Sequence, residues 1–269
     1  DETWGLGTGP SKAQAEKVGV GRLYADHIRE LHRLVQGKYG RRMMMWGDII
    51  LQHPEELPRL PKDIVMLTWG YDARADFEDQ ILPFAQSGFQ FFVCPGVSCW
   101  GRLVPDFATA ETNIRNFVRD GIRHGALGVL NTTWDDSGEN LNGWNGPGVL
   151  LGAECSWSGP ASDAAGFDRR TGAVLFGETE GRLGKLMAAV KTLYRLPAAL
   201  GLGDGLFWDF QQVRSAPTIE AAQAGAAAFL ARALEAEGAA ADLVQAAVRG
   251  AHEARALQCG REPAADGVD

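Results

Sequence analysis

Ile64-Val65-Met66-Leu67-Thr68-Trp69-Gly70-Tyr71-Asp72 is a compact apolar run that ends in a turn carrying two aromatic rings and a carboxylate. The run is continuous rather than alternating, so it reads as a strand buried on both faces, the habit of parallel sheets. Met43-Met44-Met45-Trp46, Phe89-Gln90-Phe91-Phe92-Val93-Cys94 and Ala126-Leu127-Gly128-Val129-Leu130 have the same form. Strands are therefore expected over 42–47, 63–69, 89–94 and 126–132, in one parallel sheet. Helix-compatible stretches lie between them, at about 53–60, 75–87 and 107–124. Ahead of the first run, residues 20–36 place Leu23, Ile28, Leu31, Leu34 and Val35 on one helical stripe. Repeated βα units of this kind mean an α/β fold, and a (β/α)8 TIM barrel is the expected closed form.

The ends of the runs narrow the function. They deliver Trp46-Gly47-Asp48, Trp69-Gly70-Tyr71-Asp72, Pro95-Gly96 with Trp100 shortly after, and Trp134-Asp135-Asp136. Core packing does not explain aromatic and acidic groups recurring at the C-terminal ends of successive strands. In a barrel those ends converge on one mouth, so Trp46, Trp69 and Trp134 are expected within a single cavity. Apolar sugar faces stack on indoles and carboxylates accept bonds from hydroxyls, so the set points to a carbohydrate.

The first residues, Asp1-Glu2-Thr3-Trp4-Gly5-Leu6-Gly7, run two adjacent carboxylates into a glycine-rich turn. They read as the end of a catalytic strand presenting a general acid and its helper. On that reading the chain is the C-terminal part of a larger enzyme, and the strand at 42–47 has a partner on one side only or pairs with another chain. Gly5–Lys12 superficially suggests a phosphate loop, but it fails the Walker spacing, and Pro10 removes a needed donor.

Composition excludes several alternatives. The chain has 269 residues, 45% of them hydrophobic, with a net charge of −8 and a pI near 5.2. That balance argues against nucleic acid or an anionic membrane as partner. No apolar run reaches the roughly 18–20 residues that span a bilayer. Cys94, Cys99, Cys155 and Cys259 form no CxxC pair and read as buried free thiols, and the five His have no metal-ligand spacing. Neither metal nor cofactor is expected. His27 and His32 read as solvated groups on a polar helix face, and Arg22, Arg29 and Arg33 as surface. Beyond residue 160, a helix is expected over 181–195. An Ala-rich helical hairpin follows over 218–258, broken at Glu237-Gly238, with a disordered tail after Gly260.

Asp-Glu followed by Thr-aromatic-x-Leu-Gly, then Trp46-Gly47-Asp48, Trp69-Gly70-Tyr71 and Trp134-Asp135-Asp136, resembles the family 20 glycoside hydrolases, the β-N-acetylhexosaminidases. The resemblance covers residues 1–160. It implies a partial TIM-barrel catalytic domain there (the end of strand 4 and strands 5 to 8), with 161–269 a separate helical region. It also implies a substrate with a terminal β-linked N-acetylhexosamine, whose own 2-acetamido carbonyl attacks the anomeric carbon to form an oxazolinium ion. Glu2 would be the general acid/base and Asp1 the acetamide orienter. Trp46, Trp69 and Trp134 would wall the sugar, with Asp48 and Trp100 beside it, and Asp135 or Asp136 would bind its hydroxyls. The family's acetamide-binding Tyr has no counterpart in Cys94–Trp100, and Tyr71 is the expected substitute. The last strand carries Trp-Asp-Asp where Trp-x-Glu is commoner. Two rival readings stand beside this one. One is a retaining glycosidase of another barrel family with Asp48 or Asp135 as direct nucleophile, and the other is a non-catalytic sugar-binding barrel fragment.

Overall fold

The computed structural model describes residues 3–102, 104–135, 140–159 and 163–191. Asp1, Glu2, Asp136 and Cys259 lie outside the described residues, as do the expected hairpin over 218–258 and the tail. The chain begins with turns and a short 3-10 helix, Gly9–Ser11, then α1 (Lys12–Val18) and α2 (Val20–Tyr39). Next come β1 (Met44–Trp46), α3 (Asp48–Leu51), a 3-10 helix over Pro54–Arg59 where a helix was expected, and β2 (Val65–Trp69). They are followed by α4 (Glu78–Gln86), β3 (Gln90–Cys94), α5 (Phe107–Arg123) and β4 (Gly128–Val129). A 3-10 turn at Asn142–Asn145 leads into α6 (Gly146–Ser158), α7 (Ala164–Phe176) and α8 (Arg182–Lys191).

The fold is α/β, with a four-stranded, all-parallel sheet in the order β1-β2-β3-β4. β1 and β4 are its edges, and both are shorter than the apolar runs that encode them. β4 pairs only over Gly128–Val129, and a bridge between Gly96 and Thr132 continues the contact. An edge strand has a ladder on one side alone, so fewer of its residues are held in register.

Met45, Met66 and Phe91 are register partners and share one face of the sheet, with Val93 two residues beyond Phe91. That face carries the core, built with Tyr24 and Ile28 of α2, Ile49 and Ile50 of α3, Ile81 and Phe84 of α4, and Phe117 of α5. Phe77 and Phe117 stack at 4.1 Å between centroids, with 13° between their planes. Two expectations for α2 are corrected. Leu34 is off the stripe and 49% exposed, because the buried face runs through Ala25, Ile28 and His32. His32 is buried rather than solvated, and its Nε2 lies 2.9 Å from Asp63 Oδ1. A carboxylate supplied from outside the helix is what makes burial of that imidazole tolerable.

The residues group into two compact units. The first takes in the chain through Val97, Thr109–Thr132 and the stretch from Gly152, and it holds the sheet. The second takes in Ser98–Ala108, Thr133–Leu151 and the stretch from Asp163. Its core is Phe107, Leu183, Leu186, Met187 and Val190, with Val104, Trp144 and Phe176 packed against them. Buried Glu178 caps α8, accepting the main-chain N–H groups of Arg182 at 2.9 Å and Leu183 at 3.2 Å. A carboxylate there satisfies first-turn donors and complements the helix dipole.

Candidate functional site

Trp46 pairs in register with Leu67, and Trp69 lies two residues beyond Leu67 on the same strand. Side chains alternate with period two, so both indoles stand on one face of the sheet, opposite the face that carries the helix-packed core. Both are half-buried. Trp69 stacks on Tyr71, with centroids 4.9 Å apart and 22° between planes. The Tyr71 ring thus covers part of one face of the Trp69 indole at the C-terminal end of β2.

The glycine after each of these tryptophans lies against α4. A Cβ on Gly47 would lie 2.5 Å from Phe84 Cζ, and one on Gly70 would lie 2.4 Å from Gln80 Oε1. Both strand exits are thus pressed onto α4; at Gly47 the Phe84 ring leaves no room for a side chain, whereas at Gly70 the obstacle is the flexible end of Gln80. Gly47 also donates its N–H to the Leu67 carbonyl at 2.8 Å, tying the exit of β1 to β2. Asp48 follows, half-buried at the start of α3. Its Oδ1 is buried with no hydrogen-bond partner among the described residues. Burial, followed by the Asp48 charge, pushes the Tyr24 phenol up to about 12.

The loop after β2 is laid along α5. Asn113, fully buried, donates through Nδ2 to the carbonyls of Gly70 at 2.8 Å and Asp72 at 3.0 Å. Its Oδ1 accepts the N–H of Gly96, in the turn after β3, at 3.0 Å. One helical turn on, Asn116 Nδ2 donates to the Arg74 carbonyl at 2.7 Å. Arg119 reaches the Ala75 carbonyl, and Asp120 Oδ2 accepts the Phe77 N–H at 3.0 Å. None of these four residues stood out in the sequence. The available signal was polar residues at 113, 116 and 120 beside buried Ile114, Phe117 and Val118 on a helix.

No family model matches this chain, and no curated protein matches it.

The second unit holds the other aromatic residues named from the sequence. Cys99, fully buried, donates its thiol to the Trp134 carbonyl at 3.2 Å. Burial pushes that thiol up, opposed by main-chain hydrogen bonds. Asn140 Nδ2 donates to the carbonyls of Cys99 at 3.3 Å and Arg102 at 3.5 Å, and Arg102 donates to the Trp100 carbonyl at 3.2 Å. The loops bearing half-buried Trp100 and 38%-exposed Trp134 are therefore stitched together, with Asp135 exposed beside them. Ser98 opens this stitched loop with a φ of 56°, a left-handed conformation that costs a non-glycine residue energy.

The structure thus brings Trp69 onto Tyr71, with Trp46 on the same sheet face and Asp48 at the next exit. It ties Trp100 and Trp134 to one another in a unit of their own. The catalytic candidates Asp1 and Glu2, and the hydroxyl-binding candidate Asp136, lie outside the described residues. Among the described residues, no group of three or more His, Cys, Asp or Glu could hold a metal ion, and no helix is long and apolar enough to cross a membrane.

Proposed function

We propose that this chain carries part of a retaining glycoside hydrolase that removes terminal β-linked N-acetylhexosamine, and that its sheet is one half of an eight-stranded (β/α)8 barrel. The half-barrel reading is supported by strands that are all parallel and sequential in order, with no further strand paired to β1 or β4 among the described residues. The observation that carries the substrate class is the placement of Trp46 and Trp69 on one sheet face at adjacent strand exits, with Tyr71 stacked on Trp69. A face of that kind suits the apolar side of a pyranose ring.

In this reading Glu2 protonates the leaving glycosidic oxygen while the substrate's acetamide carbonyl oxygen attacks the anomeric carbon. The C–O bond to the leaving group breaks, and the ring closes to an oxazolinium ion. Asp1 orients the acetamide N–H and balances the developing positive charge. Glu2, now a carboxylate, takes a proton from water as that water opens the ring, so configuration is retained without an enzyme nucleophile.

Parallel assays of aryl 2-acetamido and aryl 2-hydroxy β-glycosides on the full natural protein test the proposal. Hydrolysis confined to the 2-acetamido substrate, lost with Asp1→Asn and with Glu2→Gln on a poor leaving group, is expected. Equal hydrolysis of both substrates would overturn substrate assistance. One observation favours a direct nucleophile as the second reading, namely the buried Oδ1 of Asp48, which has no hydrogen-bond partner among the described residues. Trapping of a covalent sugar on Asp48 would establish it.

A further inference from the structure

Asn113 uses both of its amide hydrogens and its carbonyl oxygen on main-chain atoms of two successive strand-end turns. The two carbonyls it grips, Gly70 and Asp72, flank Tyr71, whose ring lies on Trp69. Its third bond, to the Gly96 N–H, fixes the turn after β3 against the same helix. An amide is the only side-chain group of this reach with two donors and an acceptor in one plane. Buried in full itself, it gives a partner to each of three backbone groups in the two turns.

We infer that Asn113 is a positioning residue for substrate, holding the Tyr71 ring on the Trp69 indole as a preformed face and setting the spacing between the turns after β2 and β3. The inference rests on the sugar-binding reading above. It deepens that reading, because a face ordered before binding spares the substrate the cost of ordering it.

The test compares Asn113→Ala and Asn113→Asp with Asn116→Ala. The aspartate variant still accepts from the Gly96 N–H, but its second oxygen faces the Gly70 and Asp72 carbonyls, so it releases the Tyr71 turn alone. Asn116→Ala loses one bond of the same ladder outside that turn. With an aryl N-acetyl-β-glucosaminide as probe, both Asn113 variants should raise KM roughly tenfold, from the loss of buried hydrogen bonds. They should lower kcat as well, by less than loss of the Tyr71 hydroxyl itself, because the released turn still carries that hydroxyl but no longer holds it in place. Asn116→Ala should move neither. Near-ultraviolet circular dichroism of the Trp69–Tyr71 stack gives a readout independent of activity. The contribution of the stack, taken as the difference between wild type and Tyr71→Ala, should be lost in both Asn113 variants and kept in Asn116→Ala.

Equal KM effects from the Asn113 and Asn116 variants, or an unchanged Trp69–Tyr71 dichroism in both Asn113 variants, would overturn the inference. If the wild type hydrolyses no N-acetylhexosaminide, the sugar reading fails by itself, and the dichroism still decides whether Asn113 orders this turn.

Discussion

Asp120 Oδ2 accepts the main-chain N–H of Phe77 at 3.0 Å across 43 residues of sequence, with both residues fully buried. The bond pins the entry of α4 to α5, and α4 is the helix against which the exits of β1 and β2 are pressed. Arg119 braces the carboxylate, with Nε at 2.8 Å, and is itself partly open to water.

Asp120→Ala should therefore strand a buried N–H and cost about 2 kcal/mol of stability, the range for a bond to a charged group. The cost stays below that of a fully buried broken ion pair, because the Arg119 charge can be solvated. Asp120→Asn can still accept from Phe77 and should recover about half of the loss. Urea unfolding at constant slope measures both.

Gly47 and Gly37 form a contrasting pair. Gly47→Ala drives a methyl into the Phe84 ring and should destabilise by roughly 1–3 kcal/mol, the usual cost of overpacking. Gly37 sits within α2 with nothing within 4 Å of its Cβ position. Gly37→Ala should stabilise by about 0.5–1 kcal/mol through helix propensity and a less flexible unfolded chain. Thermal unfolding of the two variants should shift in opposite directions.

The sheet was legible because buried parallel strands announce themselves as continuous apolar runs. Trp46-Gly47 was legible because the steric demand at that exit is met by residue type. α2, α5 and α8 follow from their periodicity. α6 does not, since Gly146, Pro147, Gly148 and Gly152 interrupt a segment with no polar stripe to set a period. The burial of His32 was hidden because its partner, Asp63, lies 31 residues away. The α5 ladder was hidden for another reason. Its partners are backbone carbonyls and N–H groups, which every residue carries and no composition or spacing reveals.

Asp63 predicts an acid limb in the stability curve. The hydrogen bond from His32 is the main cause holding its carboxyl below the ordinary 3.8, with burial opposing. A carboxyl lowered in the folded state adds stability above its unfolded value, and that stability is lost as pH falls through the folded value. Wild type should thus exceed Asp63→Asn in stability near pH 6, and the gap should close below about pH 4. The side chain is 45% exposed, so solvent screening keeps the gap small. Denaturant titrations at several pH values check it, and a gap that widens on acidification would contradict the assigned sign.

Tyr71 allows ring and hydroxyl to be separated, because phenylalanine keeps the ring that stacks on Trp69 and removes only the hydroxyl. On the proposed reaction, the hydroxyl substitutes for the acetamide-binding Tyr absent from Cys94–Trp100. Tyr71→Phe should then lower kcat on 2-acetamido substrates by roughly 100-fold, the scale for misplacing a reacting atom, because the acetamide oxygen is no longer held in line with the anomeric carbon. Its KM should stay near wild type. Trp69→Ala removes the stacking surface itself and should act mainly on KM, by roughly tenfold, since an aromatic face binds ground state and transition state alike. The two variants should separate cleanly on plots of kcat against KM with an aryl N-acetyl-β-glucosaminide. A Tyr71→Phe variant with unchanged kcat would reduce Tyr71 to a wall of the site and leave the acetamide oxygen to another donor.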